Sequence, residues 1–219
     1  MSTWTESFTN GIGSRLQPYS GPDFTSALAD YATTPDVVRV VDGKLRLTAI
    51  KQPSGRWKSA LLTTRNRLTF QYGKVEARIK LPSARGAFPA FWLMAADGHE
   101  WPKCGEIDVV AAVTDATVAY STAHSIFDIR YGGQLRGVTK IAAESWHTYG
   151  VDWKPDSLTF LVDGVAVGSI NKSEYPNEWR FDPAYIVLNL AVGGNWPGPP
   201  DATTPNSFSM YVDWLKVTW

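Results

Sequence analysis

Lys74-Val75-Glu76-Ala77-Arg78-Ile79-Lys80-Leu81 sets charged and apolar residues in strict alternation over eight positions. Side chains on a strand point to opposite faces in turn. The segment therefore predicts a half-buried antiparallel strand with Val75, Ala77, Ile79 and Leu81 inward and the charges in water. On either side of it the same grammar continues. Asp42-Gly43 separates 37–41 from 45–49, and Asp163-Gly164 separates 158–162 from 165–170. Both dipeptides are two-residue hairpin signals, because glycine supplies the positive φ that such turns need. Further strands are expected at 59–64, 87–94, 106–113, 118–124, 147–153, 185–192 and 209–219. Tyr185–Leu190 is apolar on both faces except at Asn189, as a central strand should be. Loops are expected at 11–23, 51–57, 95–104, 128–145 and 195–207, with at most one helical turn near 173–179. This pattern predicts an all-β sandwich of two antiparallel sheets, with residues 1–219 forming one domain.

Composition narrows the function classes. The 21 basic and 21 acidic residues cancel, which argues against a nucleic-acid partner. No apolar run reaches the length of a membrane span, and no signal-peptide pattern opens the sequence. The one cysteine, Cys104, excludes an intrachain disulfide. Ten tryptophans are heavy usage for 219 residues. Sandwich cores absorb many such rings, but an aromatic at a groove also stacks on the apolar C–H face of a sugar.

Gly105-Glu106-Ile107-Asp108-Val109-Val110-Ala111 carries the chemistry. Glu106 and Asp108 fall on one face of a strand, roughly 7 Å apart by backbone rise, close enough to perturb each other's titration. A solvated face would accommodate two acids equally well. The next residue on that face is Val110 under perfect alternation, or Ala111 if one residue is bulged out.

The context of these acids closely resembles glycoside hydrolase family 16. Pro89-Ala90-Phe91-Trp92-Leu93-Met94 followed by Trp101-Pro102-x-Cys104-Gly105-Glu106-Ile107-Asp108 is similar to the family signature. The resemblance extends over 72–82, Trp146-His147-x-Tyr149, Asp152-Trp153-x-Pro155-Asp156, 188–198 and Met210-x-Val212-Asp213-Trp214. It implies a jelly-roll sandwich with a concave cleft and retaining hydrolysis of a β-linked polysaccharide. The spacing with a bulge, and the block around Asn195 and Trp196, look most like the laminarinases, which are endo-β-1,3-glucanases.

Carried over by position, Glu106 is the expected nucleophile and Asp108 its helper. His124 is an expected cleft residue, and Trp92, Trp101, Asn195 and Trp196 are expected to bind substrate. The family's acid/base glutamate falls at Ala111, whose methyl group can neither protonate a leaving oxygen nor activate water. The chain is thus expected to bind β-glucan while turning it over poorly. A carboxylate from a loop, Asp128 or Asp201, is the other conceivable acid, and a lectin-like binder or a hydrolase of another β-linked polymer is the rival function. Trp153 and Trp214 are expected in the core, and His147 in a structural role. The resemblance further implies a structural calcium held by Glu6, the Gly43 carbonyl and Asp213, no cofactor for catalysis, secretion, and action as a monomer. At Leu61, after Ser59-Ala60, relatives often carry arginine, so part of the distal subsite pattern departs from the family.

Overall fold

Both hairpin dipeptides adopt positive φ at each residue, 51° and 68° at Asp42-Gly43 and 51° and 78° at Asp163-Gly164. These values match the right-handed twist of the strands they join. The computed structural model describes residues 2–23, 27–96, 98–125, 134–142, 144–177 and 179–219. Along the chain lie β1 (Thr3–Glu6), β2 (Gln17–Tyr19), β3 (Gly21–Pro22), β4 (Ala29–Tyr31), β5 (Val38–Val41) and β6 (Lys44–Lys51). They are followed by β7 (Trp57–Ser59), β8 (Leu61–Thr63), β9 (Gly73–Lys80), β10 (Ala87–Ala95), β11 (Glu106–Ala111) and β12 (Val118–His124). The remainder are β13 (Gln134–Lys140), β14 (Trp146–Lys154), β15 (Ser157–Val162), β16 (Val165–Asn171), β17 (Ala184–Val192) and β18 (Ser207–Thr218). A 3-10 turn, Lys172–Glu174, stands near the predicted helical turn.

Two sheets result. One has eleven strands, with β16-β15-β14-β9-β18-β6-β7-β4-β3 in order and β1 and β5 added on β18 and β6. The other has seven, ordered β13-β12-β11-β10-β17-β8-β2. Pairing is antiparallel except between β4 and β7. The architecture is the expected all-β jelly-roll sandwich. Its core fills the space between the sheets, where Val75, Ala77 and Ile79 from β9 meet Phe91 and Leu93 from β10 and Leu188 and Leu190 from β17. β17 is buried on both faces apart from Tyr185, as its apolar sequence requires.

Four strands went unforeseen within 2–31, as did β13 inside the expected loop at 128–145. The first are two to four residues long, too short to show a period. β13 is polar, contains Gly137 and lies on a sheet edge, where burial imposes no alternation. Trp153 is in the core as expected, 1% exposed. Trp214 is not: the register of β18 shifts between Val212 and Trp214, which pairs Trp214 with Arg78 and turns it to the outer face.

Phe91 is fully buried where the sheets meet. Phe91→Ala should lower unfolding free energy by about 3–5 kcal/mol. Val165→Ala, at an exposed edge position, should change it by less than about 0.5 kcal/mol. Urea titration followed by tryptophan fluorescence reads both.

Candidate active site

β11 enters from Gly105, whose φ of +88° and close approach to the Arg180 carbonyl leave no room for a Cβ. This turn aims Glu106 and Asp108 at the face of the seven-stranded sheet that points away from the core. Ile107, Val109, Val110 and Ala112 join the core, whereas Ala111 does not. Two consecutive core residues are impossible in a regular strand. The extra residue shows in the register: Phe91 pairs with Val110, yet its neighbour Trp92 pairs with Asp108. The opposite ladder shifts between Asp108 and Ala111 as well, and the Ser121 hydroxyl donates to the Val109 carbonyl at 2.9 Å. The bulge therefore makes Ala111, not Val110, the successor of Asp108 on the outer face.

Three rows cross this face. Tyr185, Met94, Glu106 and His124 are paired in the first, and Val187, Trp92, Asp108 and Thr122 in the second. Asn189, Ala90, Ala111 and Tyr120 form the third. His124 Nε2 lies 3.2 Å from Asp108 Oδ2 and 3.5 Å from Glu106 Oε1, with all three side chains largely shielded from water. Among the described residues, these three form the group of acids and histidines whose polar atoms converge within 4.8 Å. Burial pushes the Tyr185 phenol up; Arg65 pulls it back, while Cys104 and Glu106 add to the rise. Tyr185 thus stays a neutral hydrogen-bond donor in the row of Glu106. Cys104 is buried with its Sγ 3.6 Å from the Met94 sulfur.

The aromatic residues frame the acids. Trp101, 52% exposed, sets its ring 5.6 Å from that of His124. Trp196, 46% exposed, packs edge-on against Tyr120 and Phe88 beyond the third row, with Asn195 exposed beside it. Trp92 donates its indole N–H to Asn189 Oδ1 at 2.8 Å. Asn189 in turn donates to the Tyr31 hydroxyl at 3.1 Å, and Tyr31 donates to Asp23. Burial, reinforced by the Asp23 charge, holds the Tyr31 phenol well above its ordinary range. Sequence reasoning missed Tyr31, Asp23, Tyr120 and Tyr185. Asn189 was visible as the polar exception in an apolar strand, a signal that could have placed it in the site. Leu61, the departure from the family pattern, packs with Tyr31 and Val187 on this same face.

Other expected residues fall elsewhere. Asp128 lies outside the described residues. Asp201 is exposed in a turn, and hydrogen bonds from the Thr203 hydroxyl and amide hold its carboxyl below the ordinary range, the wrong direction for a general acid. His147 Nδ1 meets Asp163 at 2.7 Å, a structural pairing. The set implied for calcium does not fit that ion. The Glu6 carboxylate accepts the backbone N–H groups of Phe8 and Gly13 at 3.1 and 2.9 Å. Asp213 lies 2.5 Å from Arg78 and 3.5 Å from Lys44, so a divalent cation beside it would meet two positive side chains.

The family model for glycosyl hydrolases family 16 matches residues 25–216. A β-glucanase of Rhodothermus marinus is 32% identical over 205 residues, spanning 82% of this chain and 69% of the relative. Of other curated relatives the chain spans only about a third of the length. The catalytic domain of an endo-1,3-β-glucanase (laminarinase) from Thermotoga petrophila superposes with a TM-score of 0.89 at 30% identity, covering 98% of this chain and 95% of that one. A serine-for-glutamate variant of a non-specific endo-β-1,3(4)-glucanase superposes at 0.88 with 31% identity, over 98% of this chain and 92% of that one. It presents a 1,3-β-D-cellobiosyl-glucose at its active site. With the acid pair, the bulge and the flanking tryptophans in place, the chain belongs to glycoside hydrolase family 16.

Proposed function

We propose that this chain holds the cleft of a retaining endo-β-1,3-glucanase in which the acid/base position is Ala111, so that it binds β-glucan and cleaves it poorly. The observation that carries this reading is the register at Ala111. It lies on the face of Glu106 and Asp108, one row beyond Asp108, and is 3% exposed.

In the proposed reaction, Glu106 attacks the anomeric carbon, forming a glycosyl ester as the bond to the leaving oxygen breaks. Asp108 and His124, packed against Glu106, adjust the charge it carries. The leaving oxygen needs a proton, and the water that later cleaves the ester must lose one. Both transfers belong to position 111, and a methyl group performs neither. Loss of such a group costs typically ~10²–10⁴-fold in rate. Binding survives, because Trp101 and Trp196 supply stacking surfaces and Asn195 a hydrogen-bonding partner. The chemistry is carried by side chains alone. A polymeric substrate is met outside the cell, so secretion and action as a monomer belong to the same proposal.

Ala111→Glu should raise laminarin hydrolysis by about 10²–10⁴-fold, since a carboxyl at so buried a position would have its pKa raised, as a general acid requires. Reducing-sugar release reads the result. Azide or formate should partly rescue the Ala111 chain on an aryl β-glucoside with a good leaving group. No turnover by Ala111→Glu on laminarin, mixed-linkage glucan, agar or carrageenan would leave a carbohydrate-binding protein as the better reading.

Asn189→Leu tests the support beneath the cleft. It strands the Trp92 N–H and removes the donor to Tyr31, and should cost about 1–3 kcal/mol in stability. Calorimetry with laminari-oligosaccharides should also show weaker binding, as Trp92 loses its fixed orientation.

A further inference from the structure

The eleven-stranded sheet turns its outer face away from the cleft, and one row of side chains crosses five of its strands. Arg39 on β5 pairs with Arg46 on β6, Arg46 with Tyr211 on β18, Tyr211 with Lys80 on β9, and Lys80 with Trp146 on β14. Residues paired across antiparallel strands share a face. This one is the outer face, since Leu45, Leu47, Ile79, Met210 and Val212 beside them are all core. Cations and aromatic rings thus line up across four interstrand steps, about 19 Å at the usual strand spacing.

The charge of this row is not cancelled within it. It contains no carboxylate, and in the adjoining row Asp213 is already shared by Arg78 and Lys44. Lys80 leans over the Tyr211 ring at 5.2 Å and Arg78 over Trp146 at 4.9 Å. Such contacts orient a cation without neutralising it. The Arg46 Nε is buried with no hydrogen-bond partner among the described residues. In a chain whose net charge is zero, a band of three cations with no ion pair among the described residues is a local feature rather than a general basic character.

We infer that this row is a second carbohydrate site, which takes a linear anionic polysaccharide laid across the strands. Repeating negative groups answer Arg39, Arg46 and Lys80, while Tyr211 and Trp146, each with one ring face under a cation, leave the other face to the sugars between them. The strand spacing of about 4.8 Å is close to the length of one pyranose unit, so successive sugars meet successive side chains. Rings interspersed among the cations favour a glycan over a polyanion that has no sugar face. The site is separated from the cleft by the whole thickness of the sandwich and is independent of the chemistry at Ala111.

Native affinity electrophoresis tests this, with gels containing a sulfated galactan, a polyuronate or neutral laminarin. The chain should be retarded by one or both anionic polymers, less so as salt rises. Arg39→Gln/Arg46→Gln/Lys80→Gln should lose most of that retardation and keep its laminarin mobility, which also reports that it is folded. If the triple variant does not fold, Lys80→Gln alone should show part of the loss. Excess laminari-oligosaccharide should fill the cleft without releasing the anionic glycan. Tyr211→Ala/Trp146→Ala should weaken glycan binding and leave binding of polyphosphate unchanged.

Absence of retardation in both anionic gels would overturn the inference. So would equal retardation of the triple variant, release by the neutral oligosaccharide, or polyphosphate binding as strong as glycan binding. Failure of laminarin to bind would count against the proposed cleft function and leave the readout of the basic row intact.

Discussion

The bulge in β11 is the constraint on which the site depends. A regular strand would send Val109 inward and Val110 outward, leaving Ala111 in line with the core residues. One inserted residue lets Val109 and Val110 both enter the core, and everything after them changes face. Burying two adjacent valines, each worth about 1.5–3 kcal/mol when fully removed from water, opposes any slip of this strand. Because a one-residue slip would turn these side chains to the wrong face, the hydrophobic core fixes the register of the acid pair and of Ala111. Ala111 is therefore held in the row of Ala90 and Tyr120 by packing on the far side of its own strand.

A second support lies beneath the cleft. Trp92 is both a neighbour of Asp108 and the head of a hydrogen-bonded series through Asn189 and Tyr31 to Asp23. Each member is at least partly buried, so each bond replaces water that cannot follow. A tryptophan held at its N–H cannot swing freely, and its ring stays fixed beside the acid pair. Such preorganisation saves the entropy that a loose aromatic side chain would lose on meeting a sugar.

Much of this was legible in the sequence, for reasons that differ by element. β9, β10 and β17 declared themselves because burial on one or both faces dictates their residues. The two Asp-Gly hairpins were readable because few residues accept their φ values. The acids and the empty position were legible as a spacing, but alternation alone left Val110 and Ala111 open, and tertiary packing decides between them. Tyr31 and Asp23 were not legible: they come from a short strand and a loop whose local sequence carries no period, and they matter only through Asn189 far along the chain. Trp214 was misplaced for the same physical reason that Ala111 was ambiguous. A register shift reverses the face of a side chain, and nothing in the local composition announces it.

In the proposed reading, an alanine at position 111 separates two properties that a glycosidase normally combines. A barrier raised by a factor of 10²–10⁴ corresponds to about 2.7–5.5 kcal/mol in the transition state, and none of it need come from the ground state. Sugar binding draws on exposed rings and hydroxyl partners, and Trp101, Trp196 and Asn195 owe nothing to a proton at position 111. A polymer would enter with its affinity nearly intact and leave by dissociation instead of cleavage. An opposite face that grips charged glycan would then give the sandwich two distinct polysaccharide contacts on its two sheets. A chain of this kind would act as a bridge between polymers, and placing one carboxylate at position 111 would convert the bridge into a blade.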